Sequence, residues 1–122
     1  MNRLIVFLIL SILISCEEEN TPPECIITSP EDGSVFVVGD TVEIVAAAWD
    51  LETFIAGVEF LIDAYDILGF TEDYPFSYDW NTEGYRAGEH TIMAVAYDWG
   101  KGGGAGSDEI TIILEEETAS AD

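Results

Sequence analysis

Thr41-Val42-Glu43-Ile44-Val45-Ala46-Ala47-Ala48-Trp49 decides the fold class by its alternation. Successive side chains of an extended strand point to opposite faces, so Val42, Ile44, Ala46 and Ala48 share one face and Thr41, Glu43, Val45, Ala47 and Trp49 the other. A second stretch, residues 89–98, repeats the pattern, with His90, Ile92, Ala94 and Ala96 opposed to Thr91, Met93, Val95 and Tyr97. Three further inward sets follow: Val58, Phe60 and Ile62; Phe76, Tyr78 and Trp80; and Ile110, Ile112 and Leu114. The inward alanines are small where the aromatics are large, which lets two sheets interlock.

Around these stretches the chain is punctuated by turn residues: Pro30-Glu31-Asp32-Gly33, Gly39-Asp40, Gly57, Asp63-Ala64-Tyr65-Asp66, Gly69, Tyr74-Pro75, Gly84, Gly88 and the glycines of 100–106. The spacing predicts strands near 24–28, 35–38, 41–49, 57–63, 66–70, 75–80, 89–98 and 108–115. Short strands at such intervals, with no capped stretch of helical period, specify an all-β sandwich or barrel. No internal repeat is present.

Six segments in order carry a closer resemblance. They are Ile27-Thr28-Ser29-Pro30-Glu31-Asp32-Gly33; Gly39-Asp40-Thr41-Val42; Ala46-Ala47-Ala48-Trp49-Asp50; Val58-Glu59-Phe60-Leu61-Ile62-Asp63; Tyr74-Pro75-Phe76-Ser77-Tyr78-Asp79-Trp80; and Gly88-Glu89-His90-Thr91 leading to Ala96-Tyr97-Asp98-Trp99-Gly100. Together they resemble a bacterial Ig-like domain family, over about 24–115. The resemblance implies a single immunoglobulin-like antiparallel β-sandwich of seven to eight strands, of the kind that accompanies secreted glycosidases and adhesins as a spacer. Two departures stand out. Asp63-Ala64 replaces the usual Asp-Gly hairpin, which implies a longer turn, and a glycine-rich loop follows Asp98.

The N-terminus belongs to a different category. Met1-Asn2-Arg3 is a short positive start, and 4–14 is apolar apart from Ser11. Eleven residues in a helix span roughly 16 Å against ~30 Å for a bilayer's hydrocarbon core, so the run suits an export signal and is too short to cross. Leu13-Ile14-Ser15-Cys16 resembles the lipobox of bacterial lipoproteins. That resemblance implies cleavage before Cys16 and acylation of its thiol, an anchor made permanent by two or three acyl chains. The expected organisation is therefore a signal peptide at 1–15, the lipidated Cys and acidic tether at 16–23, the sandwich at 24–116 and a disordered tail at 117–122. Glu17-Glu18-Glu19 after the Cys resembles the surface-export tag of lipoproteins in some Gram-negative groups. This implies an outer-membrane lipoprotein displayed at the cell surface, the alternative being the inner leaflet of that membrane.

Charge narrows the partners. After cleavage, Arg86 and Lys101 face 25 acidic residues, so the net charge is 2 − 25 = −23. Nucleic acids and anionic lipid surfaces require basic patches and are poor partners. With Cys16 acylated, Cys25 has no cysteine to pair with, and it reads as a small buried hydrophobe.

No catalytic set stands out, since carboxylate pairs are too numerous on so acidic a chain for any one to be singled out. The single histidine, His90, alternates inward, and no Ser/His/Asp set or Cys/His pair assembles. The glycine-rich loop joins two strands, so it lacks the helix N-terminus that a phosphate cradle uses. A non-catalytic protein is expected. Two kinds of site remain. Leu61, Met93, Val95, Tyr97 and Ile113 alternate outward on one sheet, with Glu59 and Asp63 at the margin, and form a candidate interface for an envelope protein or glycan. Immunoglobulin strand order would place loops 50–56, 71–75 and 99–107 at the end where the tether joins, facing the membrane. There Asp50, Glu52 and Asp98 form a candidate calcium site, or else accept hydrogen bonds that close the strand ends. The functional alternatives are a binding or accessory module and a spacer-like lipoprotein without a ligand.

Overall fold

The computed structural model describes residues 21–51, 53–100 and 104–118. Cys16 and Glu52 lie outside the described residues, as does the whole segment read as an export signal. Among the described residues there are eight strands: β1 Glu24–Ser29, β2 Val35–Val37, β3 Thr41–Trp49, β4 Ile55–Ile62, β5 Asp66–Thr71, β6 Phe76–Asn81, β7 Gly88–Asp98 and β8 Ala105–Glu115. They form two sheets, β1-β3-β6 and β2-β8-β7-β4-β5, packed as a sandwich. Among the described residues no helix is long and apolar enough to cross a membrane.

One pairing departs from the antiparallel expectation. β2 lies parallel to β8, with Val35 opposite Ile113 and Val37 opposite Glu115. The cause is at Pro30, which has no N–H to continue the ladder that β1 makes with β3. The chain crosses to the other sheet without reversing, and β8 already runs in that direction.

The inward sets meet between the sheets as expected: Val42, Ile44 and Ala46 from β3, Val58, Phe60 and Ile62 from β4, and Ile92, Ala94 and Ala96 from β7. Ile110, Ile112 and Leu114 from β8, with Cys25, Ile27, Phe76 and Trp80, complete this core. Each large side chain so buried contributes roughly 1.5–3 kcal/mol relative to exposure. Trp80 is fully buried, with Tyr85 edge-on at 5.1 Å between ring centroids.

β8 begins three residues before the sequence pattern suggests. Ala105, Gly106 and Ser107 have weak strand preference alone, but they pair with Tyr97, Ala96 and Val95 and extend the ladder. Gly106 is required there. A Cβ on it would stand 1.9 Å from the carbonyl oxygen of Pro23, so the start of β1 lies directly against β8.

Register fixes which loops share an end. Glu24 pairs with Trp49, Ile55 with Asp98, Thr71 with Val58, Phe76 with Ala46 and Ala105 with Tyr97. Loops 50–54, 72–75 and 99–104 therefore gather where the chain arrives from Pro22-Pro23.

Candidate binding face

The outer face of the five-stranded sheet carries the expected interface residues, but not as one group. Leu61 and Met93 are directly paired, Val95 lies opposite Glu59, and Tyr97 follows on the same face of β7. Ile113 lies elsewhere. It pairs with Glu89 and Val35, and the Thr91–Thr111 pair separates it from Met93. Asp63 is not at the margin of this face either. It has left the strand for the β4–β5 turn, with φ 54°.

Two residues that sequence reading missed complete the patch from β5. Ile67 pairs with Leu61 and Phe70 with Glu59, and both are exposed. A bulge opposite Phe60 and Leu61 shifts the register, so Ile67 and Phe70 share a face although they are three residues apart. Phe70 lies across Gly57, where any Cβ would stand 2.3 Å from its ring, and its centroid is 6.3 Å from that of Tyr97. The Tyr97 hydroxyl donates to Glu59 at 3.3 Å. Burial first, and the Glu59 carboxylate second, raise the Tyr97 phenol above its ordinary value. The face is thus an apolar area of Leu61, Ile67, Phe70, Met93, Val95 and Tyr97, with the Glu59 carboxylate among them.

The acidic residues at the tether end behave differently. Asp98 is 7% exposed, and its Oδ1 accepts from the Gly100 N–H at 3.0 Å while its own N–H donates to the Gly104 carbonyl at 3.3 Å. These bonds close the β7–β8 loop. Asp50 lies on the β3–β4 loop at the same end. Among the described residues no group of three or more His, Cys, Asp or Glu is placed to hold a metal ion, and Glu52 is outside them.

His90 is buried, with Nδ1 2.7 Å from Asp63 Oδ2 and Nε2 2.7 Å from the Arg86 carbonyl. The second oxygen of Asp63 accepts from the Thr91 N–H at 3.0 Å. With both ring nitrogens engaged inside the protein, this imidazole ties a turn to a strand and is closed to a substrate. Beside it the Tyr85 hydroxyl donates to Asp66, and burial first and this bond second push the phenol up to about 12.

Comparison with known proteins agrees with this architecture. The family model described as a bacterial Ig domain matches residues 23–94. No curated protein sequence matches the chain. Among solved structures, the fibronectin(III)-like modules of Clostridium thermocellum CbhA share 25% identity with a TM-score of 0.71, covering 86% of this chain and 54% of that one. The endo-β-1,4-mannanase of Thermotoga petrophila is similar at 21% identity and TM-score 0.59, covering 86% of this chain and 22% of that one. An engineered protein matches at 15% identity and TM-score 0.55, covering 76% of this chain and 20% of that one. The chain thus spans about half or less of each of these structures. A match over residues 23–94, more than half its length, places this chain in the bacterial Ig domain family.

Proposed function

We propose that the protein is a non-catalytic, lipid-anchored protein of the outer membrane, displayed at the cell surface, whose Ig domain is a binding module for another envelope protein. The observation that carries this reading is the apolar outer face of the five-stranded sheet. Contiguous apolar surface on a water-soluble domain marks an interface, whereas single exposed apolar residues do not. A protein suits this face better than a glycan. Aliphatic side chains and one carboxylate offer few hydrogen-bonding partners to a sugar's hydroxyls, and those groups would be left unsatisfied on binding.

A photo-crosslinking residue at Val95 tests the face in intact cells, with one at Glu43 on the outer face of the other sheet as control. An adduct of defined mass from Val95 and none from Glu43 supports the module. Adducts from neither favour the second reading, a spacer, which the similarity to modules within longer chains also suits. The anchor is checked separately by intact mass: acyl groups on Cys16, lost in Cys16→Ala.

A further inference from the structure

Large apolar side chains are concentrated on the loops at the tether end. Leu51 is 85% exposed, Phe54 83%, Tyr74 79%, Trp99 69% and Trp49 44%. The loops of the opposite end, 38–40, 63–65 and 82–87, carry one such residue, Tyr65. The five side chains come from the end of β3 and from three different loops that register brings together. Two of these loops are joined directly, since the Trp99 N–H donates to the Phe54 carbonyl at 3.2 Å.

We propose that this end of the sandwich seats on a phospholipid surface, with Trp49, Leu51, Phe54, Tyr74 and Trp99 entering the headgroup boundary. The proposal rests on the anchor at Cys16. Seven residues from Cys16 to Pro23 reach at most about 25 Å. A nine-residue strand such as β3 is itself about 30 Å long, so a lipid on Cys16 holds this end at the bilayer and the opposite end away. Composition agrees, because tryptophan and tyrosine favour the interface, where an apolar ring is covered and its polar edge stays wet. Affinity need not be high, since an anchored domain meets its own membrane at a large effective concentration. Charge then selects the lipid. Asp50, Glu72 and Asp73 stand on the same loops and repel anionic headgroups, so a zwitterionic surface is the one that fits.

The test uses the full acylated chain in phosphatidylethanolamine–phosphatidylcholine vesicles whose acyl chains are brominated near the headgroup. Trp80 is fully buried and serves as an internal reference, so quenching reports Trp49 and Trp99. Seating predicts quenching that is lost in Trp49→Phe/Trp99→Phe and in Leu51→Ser/Phe54→Ser, and weakened when phosphatidylglycerol replaces half of the lipid at low salt. Leu51, Phe54 and Trp99 are largely exposed, and Trp49, about half exposed, is replaced by another aromatic, so the variants keep the fold. Acylated, vesicle-bound protein whose tryptophan emission is the same with brominated and plain lipid overturns the seating and leaves the anchor intact. A mass without acyl groups overturns the anchor instead. Seating is then decided by adding the unacylated chain to the same vesicles: quenching sustains it and none overturns it.

Discussion

At the scale of residues, the most constrained group is the Asp63 carboxylate. It accepts from the Thr91 N–H and from His90, and its backbone is at positive φ. Asp63→Ala leaves a buried ring nitrogen and a strand N–H without partners. Such orphaned donors cost about 1–3 kcal/mol each, so a loss of about 2–3 kcal/mol is expected in urea unfolding. Asp63→Asn retains an acceptor and tolerates positive φ, and should lose about 1 kcal/mol. Alternation along β7 predicts the buried His90. Its partner is not legible, because the two residues are 27 apart and meet only through the geometry of a turn. Cys25 gives a pH test. Burial first, then the charge of Asp108, push its thiol from 9.0 up to about 11. The folded state therefore holds this proton more tightly than the unfolded chain. The resulting stability is fully present below pH 9 and is lost as pH rises to about 11. Urea midpoints should fall across that window, and Cys25→Ala should remove this part of the fall.

At the scale of elements, the close approach of Pro23 to Gly106 fixes the start of β1 against β8. Gly106→Ala would set a methyl into the Pro23 carbonyl oxygen, so either the start of β1 or the start of β8, which belong to different sheets, must move. Overpacking of this kind costs about 1–3 kcal/mol. A lower urea midpoint with an unchanged slope is the expected result, and an unchanged midpoint would show that β1 is loosely held. Strand positions were readable from alternation and turn residues because one face of each strand is buried. The binding face was readable only in part. Leu61, Met93, Val95 and Tyr97 follow from parity along β4 and β7. Ile67 and Phe70 do not, since the bulge between β4 and β5 breaks parity, and the separation of Ile113 depends on cross-strand register. The apolar loop end had no periodic signature at all, since loop side chains follow no repeat.

At the scale of the whole molecule, acidic charge dominates the surface. The full chain carries a net charge of −22, with three lysines and arginines against 25 acidic residues. Most carboxylates are therefore uncompensated on a small surface, where they repel one another when folding brings them together. Screening shortens the reach of that repulsion from about 10 Å at 0.1 M salt to about 3 Å at 1 M. Sodium chloride should then raise the melting midpoint, by on the order of 5 °C if about 1 kcal/mol is recovered in a domain of this size. The comparison with calcium separates general screening from a site. Asp98 already engages the Gly100 N–H, and no three potential ligands converge among the described residues. Calcium chloride at matched ionic strength that raises the midpoint no further than sodium chloride would leave Asp50 and Asp98 the hydrogen-bonding role alone. A surplus that Asp50→Asn abolishes would instead assign Asp50 and Asp98 to a metal site. In that case the cation would also offset the charge that sets this end against anionic lipid, and seating would extend to anionic vesicles in calcium alone.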